Sequence, residues 1–253
     1  MPPRVRRVVS TRAGGRSRGV YGTFNLSAGV GDDPAAVAAN RARLARELGV
    51  PVVFLQQVHG TRVVRVDAPP DAGAIDHPDA DAVVTARPGI GIAVLAADCV
   101  PVLLADPRAG VVGAAHAGRV GAAAGVLPAV VTAMTELGAR VGDIEVLLGP
   151  AVCGSCYEVP AAMRAEVDSR LPGSAVRTRS GTPGLDLRAG LYHQLVELGV
   201  GRVGADPRCT VEERALYSHR RDGRTGRQAA ITWLDTSSAC STGCSPMGPI
   251  LRP

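Results

Sequence analysis

Lysine is absent: all 28 basic residues are arginine. A Schiff-base lysine and a phosphate-loop lysine are therefore excluded as mechanisms. Aromatic residues make up only 3% of the chain. Few side chains remain on which nucleobases could stack, which argues against a single-strand nucleic-acid platform, and the core has to be built from Val, Leu, Ile and Ala. A long hydrophobic run is also missing. The longest, residues 89–104, is interrupted by Asp98 and followed by Asp106, too short and too polar to span a bilayer. No apolar segment follows the basic first residues, so no secretory signal is expected. These absences predict a cytoplasmic protein with no membrane partner and with its six cysteines mostly reduced.

What is present reads as globular. A chain of 253 residues, 46% hydrophobic and 20% charged, is long and apolar enough to bury a substantial core. Much of its arginine gathers in two groups, Arg4, Arg6, Arg7, Arg12, Arg16 and Arg18 near the start and Arg214, Arg220, Arg221, Arg224 and Arg227 near the end, within a net charge of +5. Solvated surface and a site for phosphate or another small anion both fit these groups. Nucleic acid is not an expected partner, since interleaved aromatics are lacking.

Asp32-Asp33-Pro34 opens a helix, with an Asp cap and proline at the first helical position, and Gly49 ends it. Strands are expected over 52–58 and 61–67 and a loop over 68–80. Short apolar runs over 81–85, 90–96, 100–105, 111–115 and 144–148 read as strands buried on both faces. Residues 119–138 read as a helix kinked or split by Pro128, and 157–171 and 185–198 as helices. Asp222-Gly223-Arg224-Thr225-Gly226 reads as a hairpin turn between extended segments, and 236–253 as a loose tail. The expected fold is α/β in the mixed α+β sense, a mixed sheet packed with helices in a single catalytic domain over 1–235.

Three segments carry chemistry. Gln57-Val58-His59-Gly60, Ala97-Asp98-Cys99 and His116-Ala117-Gly118 each place a ligand-type residue where an expected strand gives way to a turn, the place where active sites collect in sheet proteins. Two imidazoles and a thiolate suit Zn²⁺ and leave a fourth position for water, whose pKa would fall toward about 7. Strand ends of one sheet can share a point, so His59, Cys99 and His116 are expected to converge on one ion, with an affinity that falls on acidification. The same residues admit plainer roles, as loop or core side chains, or as a cysteine hydrolase with Cys99 the nucleophile and His116 or His59 its base. Asp98 is the candidate catalytic acid or base, or an orienter of a liganding imidazole.

Ser10-Thr11-Arg12 with Tyr21 and Asn25-Leu26, the three segments above, Gly149-Pro150 with Cys156-Tyr157-Glu158-Val159, and Arg220-Arg221-Asp222-Gly223 with Thr225-Gly226-Arg227 occur in one order along nearly the whole chain. In this the chain resembles the bacterial polyphenol-oxidase, or multicopper-oxidase-like, family, also described as zinc-dependent purine nucleoside phosphorylases with a human relative. The resemblance implies zinc on His59, Cys99 and His116. It further implies phosphorolysis of adenosine, inosine and methylthioadenosine, with purine nucleosides and phosphate as partners and some adenosine deamination. Arg12, Asn25, Arg220, Arg221 and Arg227 are the candidate substrate-binding residues. A copper phenol oxidase activity attached to the same family ranks lower, since laccase chemistry needs several coppers and more histidines than the five present,.

The sequence departs from the family's third box, where Trp-Arg-Gly usually follows His-Ala-Gly; here it reads Arg119-Val120-Gly121. The change motivates a third reading, a binding protein that kept the scaffold without turnover. Cys153-Gly154-Ser155-Cys156 has CxxC spacing but shows neither a thioredoxin-like context nor a second cysteine pair, so a structural turn is expected. Cys240 and Cys244 fall in the expected tail.

Overall fold

The apolar runs in the middle of the chain become strands whose side chains alternate between two cores. The computed structural model describes residues 3–70 and 79–235; the expected tail over 236–253 and most of the expected loop over 68–80 lie outside them. The elements are β1 (Arg4–Val9), α1 (Pro34–Leu48), β2 (Val52–Val53), β3 (Val63–Arg65), β4 (Ala82–Thr85), β5 (Gly91–Ala96), β6 (Val100–Asp106), β7 (Val111–Ala117), α2 (Arg119–Ala124), α3 (Val126–Glu136), β8 (Glu145–Leu148), α4 (Ala161–Arg170), β9 (Ala175–Arg177), β10 (Pro183–Leu185), α5 (Leu187–Glu197), β11 (Arg202–Ala205), α6 (His219–Asp222) and β12 (Gln228–Asp235).

Two mixed sheets carry the fold, in the orders β11-β8-β6-β7-β4-β3 and β1-β12-β5-β2, with β9 and β10 as a separate hairpin. Period-two alternation sends Val100, Val102 and Leu104 of β6 toward α3 and α5. Leu103 and Ala105 face the other way and meet Ile92 and Val94 of β5 and Ala230 of β12 between the sheets. On the far side of the smaller sheet, Ala93, Leu95, Ile231 and Trp233 pack with Leu44 of α1, Phe24 and Phe54. The layers thus run helix, sheet, sheet, helix. Gly113 in β7 lets α3 approach closely, since a Cβ there would stand 3.0 Å from the Met134 sulfur.

Several elements differ from the sequence expectation. The helix over 119–138 divides at Gly125, which has φ +93°, and Pro128 sits in the first turn of α3, where its missing N–H costs nothing. Of the strand expected over 52–58 only Val52–Val53 forms. The helix expected from 157 begins at Ala161 behind Pro160. The expected hairpin at 222–226 is instead the end of α6, whose Ser218 cap accepts the Arg221 N–H, followed by Gly223 at φ +66°. The strand expected over 111–115 runs on to Ala117, so His116 lies within it rather than after it. Strands β1, with three arginines, and β11, mostly exposed and containing Gly204, carry no clean alternation and escape the sequence reading.

Leu103 is fully buried between the sheets. Leu103→Ala should lower the unfolding free energy by about 2–5 kcal/mol in denaturant titration; a loss below about 1 kcal/mol would contradict its place in the inter-sheet core.

Candidate metal centre

The mouth of the inter-sheet core gathers His59, Cys99 and His116. His116 follows Val112 and Ala114 on the β7 face that lines this core. Cys99 occupies the tight turn from β5 to β6, and His59 the loop from β2 to β3. Their donor atoms all lie within 4.8 Å of one another. Cys99 Sγ stands 3.9 Å from His59 Nε2, and the two rings meet edge to face with centroids 4.7 Å apart. Tetrahedral bonds of about 2.0–2.3 Å would set neighbouring donors about 3.3–3.7 Å apart, which small rotations of these side chains reach. The cradle is tight: a Cβ on Gly118 would stand 2.7 Å from the His59 ring and 3.0 Å from Cys99 Sγ, and one on Gly121 would stand 2.8 Å from the Gly60 carbonyl oxygen. The donor set and the space around it both fit a single borderline-soft ion.

One carboxylate organises the His116 imidazole and the loop that carries His59. Asp81, immediately before β4, is fully buried. It accepts the N–H groups of Val58 at 3.1 Å, His59 at 2.9 Å and Gly60 at 2.6 Å, and its Oδ1 lies 2.8 Å from His116 Nδ1. The first three bonds hold the His59 loop in a shape where His59 has φ +63°, a region that costs a non-glycine residue energy and marks functional sites when it persists. The fourth makes His116 a donor at Nδ1 and leaves Nε2 for an ion, the relation by which a carboxylate orients a metal-binding histidine. Burial opposes the charge on Asp81, but the bonds from His116, Gly60 and Val58 outweigh it and hold the carboxyl below its usual range. Burial likewise opposes ionisation of Cys99, yet the charge of His116 and bonds from both imidazoles bring the thiol down to about 6. Burial disfavours a charged His116, while the Cys99 thiolate and Asp81 raise it to about 9. Asp81 was not singled out in the sequence; the available signal was an acid heading a wholly apolar run.

A cleft of about 440 Å³ opens beside the trio, lined also by Ser27, Gln57, His219 and Arg227. Gln57 pins the His59 loop to β5 by pairing its side-chain amide with the Leu95 backbone at 2.8 and 2.7 Å. Of the expected substrate residues, Arg227 reaches this cleft, braced by Nη1 bonds to the Thr225 and Gly226 carbonyls. Arg220 lies over the Tyr157 ring at 5.1 Å. The others are held elsewhere. Asn25 is buried and bonded to Ser27, Asp32 and the Arg227 N–H. Arg12 donates to the Gly22 carbonyl and faces Asp222 and the Tyr217 ring, and Arg221 donates to four carbonyls and to Asp222. The Asp98 carboxylate accepts Thr210 Oγ1 at 2.6 Å, Ser218 Oγ at 2.7 Å and the Arg220 N–H at 2.5 Å, in a residue at φ +94°. At the altered third box Val120 is 51% exposed. Burial and the Cys99 charge raise the Tyr157 hydroxyl above its usual range, against Arg119 and Arg220.

Cys99→Ala should remove one equivalent of bound metal per chain. Asp81→Asn, which puts an N–H donor against backbone N–H groups, should weaken that ion about 10- to 100-fold in competition with a chromophoric chelator. Unchanged affinity in Asp81→Asn would show that the carboxylate does not organise the site.

Residues 6–235 match the family described as multi-copper polyphenol oxidoreductase laccase. The chain is 57% identical to a protein of Mycobacterium tuberculosis named purine nucleoside phosphorylase, over 92% of this chain and 93% of that one. Its fold is similar to the crystal structures of a Neisseria meningitidis protein (TM-score 0.82, 38% identity, 93% and 97% of the two chains) and of YlmD from Geobacillus stearothermophilus (TM-score 0.84, 34% identity, 91% and 92%). With this match running from β1 to β12 through every segment of the metal centre, the chain belongs to the multi-copper polyphenol oxidoreductase laccase family.

Proposed function

We propose that this chain is a zinc-dependent purine nucleoside phosphorylase, acting on adenosine, inosine and methylthioadenosine, with adenosine deamination as a second activity of the same cleft. The observation that carries the reading is the joining of two imidazoles and a thiolate at a cleft that also presents Arg227 and His219, in a chain 57% identical to a named purine nucleoside phosphorylase. Two nitrogens and one sulfur favour zinc over harder cations. When bound, the ion would supply a Lewis-acidic open position that polarises an atom of the ligand.

The protein's own groups have separate tasks. Arg227 is the cleft's guanidinium for phosphate. Burial lowers its pKa, opposed by the Cys99 and Asp98 charges, and arginine nevertheless stays protonated. Phosphate oxygen attacks C1′ of the ribose as the bond to the base breaks, so the departing purine nitrogen has to gain a proton or an equivalent partner. His219 suits that task. Its Nδ1 donates to the Gly223 carbonyl at 2.7 Å, which leaves Nε2 to hold or move the proton. With Thr210, Ser218 and the Arg220 N–H on its carboxylate, Asp98 is assigned the positioning of the Cys99 turn rather than proton transfer.

A second reading draws on one observation: Asp81, His116 and Cys99 form a chain of the kind that activates a nucleophilic thiol. His59 speaks against it, because a thiol nucleophile needs one imidazole and the second sits 3.9 Å from the same sulfur. Multi-copper oxidase chemistry is not proposed, since several coppers need more histidines than the five in the chain,.

Incubation of the zinc-loaded protein with inosine and phosphate should yield hypoxanthine and ribose 1-phosphate, and His219→Gln should lower kcat by about 10²- to 10⁴-fold. Absence of product from all three nucleosides at every metal loading would refute the phosphorylase reading. Turnover that survives complete metal removal but not Cys99→Ala would favour the thiol hydrolase.

A further inference from the structure

The CxxC segment has the partner that its sequence context lacks. Between β8 and α4, Cys153 and Cys156 form a turn closed by the Cys156 N–H on the Cys153 carbonyl at 2.9 Å. Cys209 and Glu212 form a second turn of the same spacing, closed by the Glu212 N–H on the Cys209 carbonyl at 3.1 Å. A parallel bridge between Ala151 and Cys209 sets the turns side by side. The Cys153 N–H donates to Cys209 Sγ at 3.4 Å, and Cys156 Sγ lies 3.7 Å from Glu212 Oε1. One donor atom from each of the four residues lies within 4.8 Å of all the others, and the three cysteines are free thiols.

We infer that Cys153, Cys156, Cys209 and Glu212 form a second, structural metal site that takes zinc. Twin turns with x2 spacing, each offering two ligands, are the arrangement of tetrahedral structural zinc. Three sulfurs and one carboxylate oxygen select zinc over hard cations. Four protein ligands leave no open position, so the site is closed to substrate. As anions the four donors repel one another, which a divalent cation reverses. The excess negative charge of such a complex is met by Arg179, whose Nη2 contacts Glu212 Oε1, and by Arg221, whose Nη1 is bonded to the Thr210 and Val211 carbonyls between the two ligands. A disulfide within the group would use two sulfurs and leave the third beside Glu212 without a role.

The site's place in the fold gives it a task. Thr210, next to Cys209, donates to the Asp98 carboxylate at 2.6 Å. The N–H of Val152, next to Cys153, donates to the Asp98 carbonyl at 3.0 Å. Asp98 precedes Cys99, so the second ion clamps the two segments that hold the turn of the first centre, and Tyr157 follows directly from Cys156. This inference stands independently of the nucleoside reaction.

The test is metal content after anaerobic purification from zinc-supplemented cells. The natural chain should hold two equivalents of zinc, Cys99→Ala one, Cys209→Ala one, and the double variant none. Cobalt-loaded Cys99→Ala should show the sulfur-to-cobalt charge-transfer absorption of a three-thiolate site. Glu212 is exposed, so Glu212→Gln keeps the fold in reserve should a cysteine variant misfold; in the Cys99→Ala background it should weaken the remaining ion at least tenfold. Three outcomes would overturn the inference: Cys99→Ala without metal, a double variant that retains the ion, or a Cys153–Cys156 disulfide found by thiol counting and mass spectrometry. Nucleoside turnover enters none of these readouts, so failure here is distinguishable from failure of the phosphorylase reading.

Discussion

The buried Asp81 carboxylate is the group on which the candidate metal centre depends. Four donors reach it from two separate parts of the chain, three N–H groups of the His59 loop and the His116 imidazole. A buried carboxylate left without such partners would cost far more than any single bond returns. The loop therefore cannot relax from its unfavourable φ at His59 without stranding the charge, and His116 cannot turn away for the same reason. One group that does not line the cleft thus fixes the His116 imidazole and the backbone that carries His59. Preorganisation of this kind lets a three-residue donor set from distant segments stay ready for an ion at little cost at the moment of binding.

The layered architecture explains why these segments meet. The central strands β4 to β7 are buried on both faces, so they are apolar along most of their length and polar chemistry is pushed to their ends. The inter-sheet core ends where β5 turns into β6 and where β7 runs into α2, and at that rim Cys99, His116 and the loop after β2 come together. Small residues make the approach possible. Gly118 and Gly121 sit where any side chain would strike the His59 ring, the Cys99 sulfur or the Gly60 carbonyl, so the start of α2 closes the site as a wall.

Much of this was legible in the residues. The apolar runs over 90–96, 100–105 and 111–115 match the central strands nearly to their ends, because a short continuous apolar run bounded by turn residues is the pattern of a strand buried on both faces. That His59, Cys99 and His116 would converge was expected from their residue types and from the family resemblance, and their donor atoms do lie together. Asp81 was not, because one acid before an apolar run looks like an ordinary strand boundary until the loop that needs it is known. The arginines misled in a related way. Arg12 and Arg221 suit anions by type, yet their guanidiniums are committed to carbonyls, an aromatic face and Asp222. Guanidinium count in a sequence does not reveal which forks remain available, and among the expected substrate arginines only Arg227 lines the cleft.

Asp98 joins the two clusters of metal-type ligands. Its carboxylate takes bonds from Thr210, Ser218 and Arg220, and its carbonyl from Val152, so one residue ties the Cys99 turn to the segment of Cys153, to that of Cys209 and to the start of α6. α6 carries His219, the cleft's remaining histidine, and the chain leaving it carries Arg227. A shift in the Cys209 turn would therefore move Thr210, then Asp98, and with it both the Cys99 sulfur and the N-terminus of α6. The reacting side of the cleft and the metal side are not independent surfaces. They share one anchor, Asp98, whose bonds from Thr210 and Val152 tie it to the group outside the cleft where three sulfurs and a carboxylate face one another.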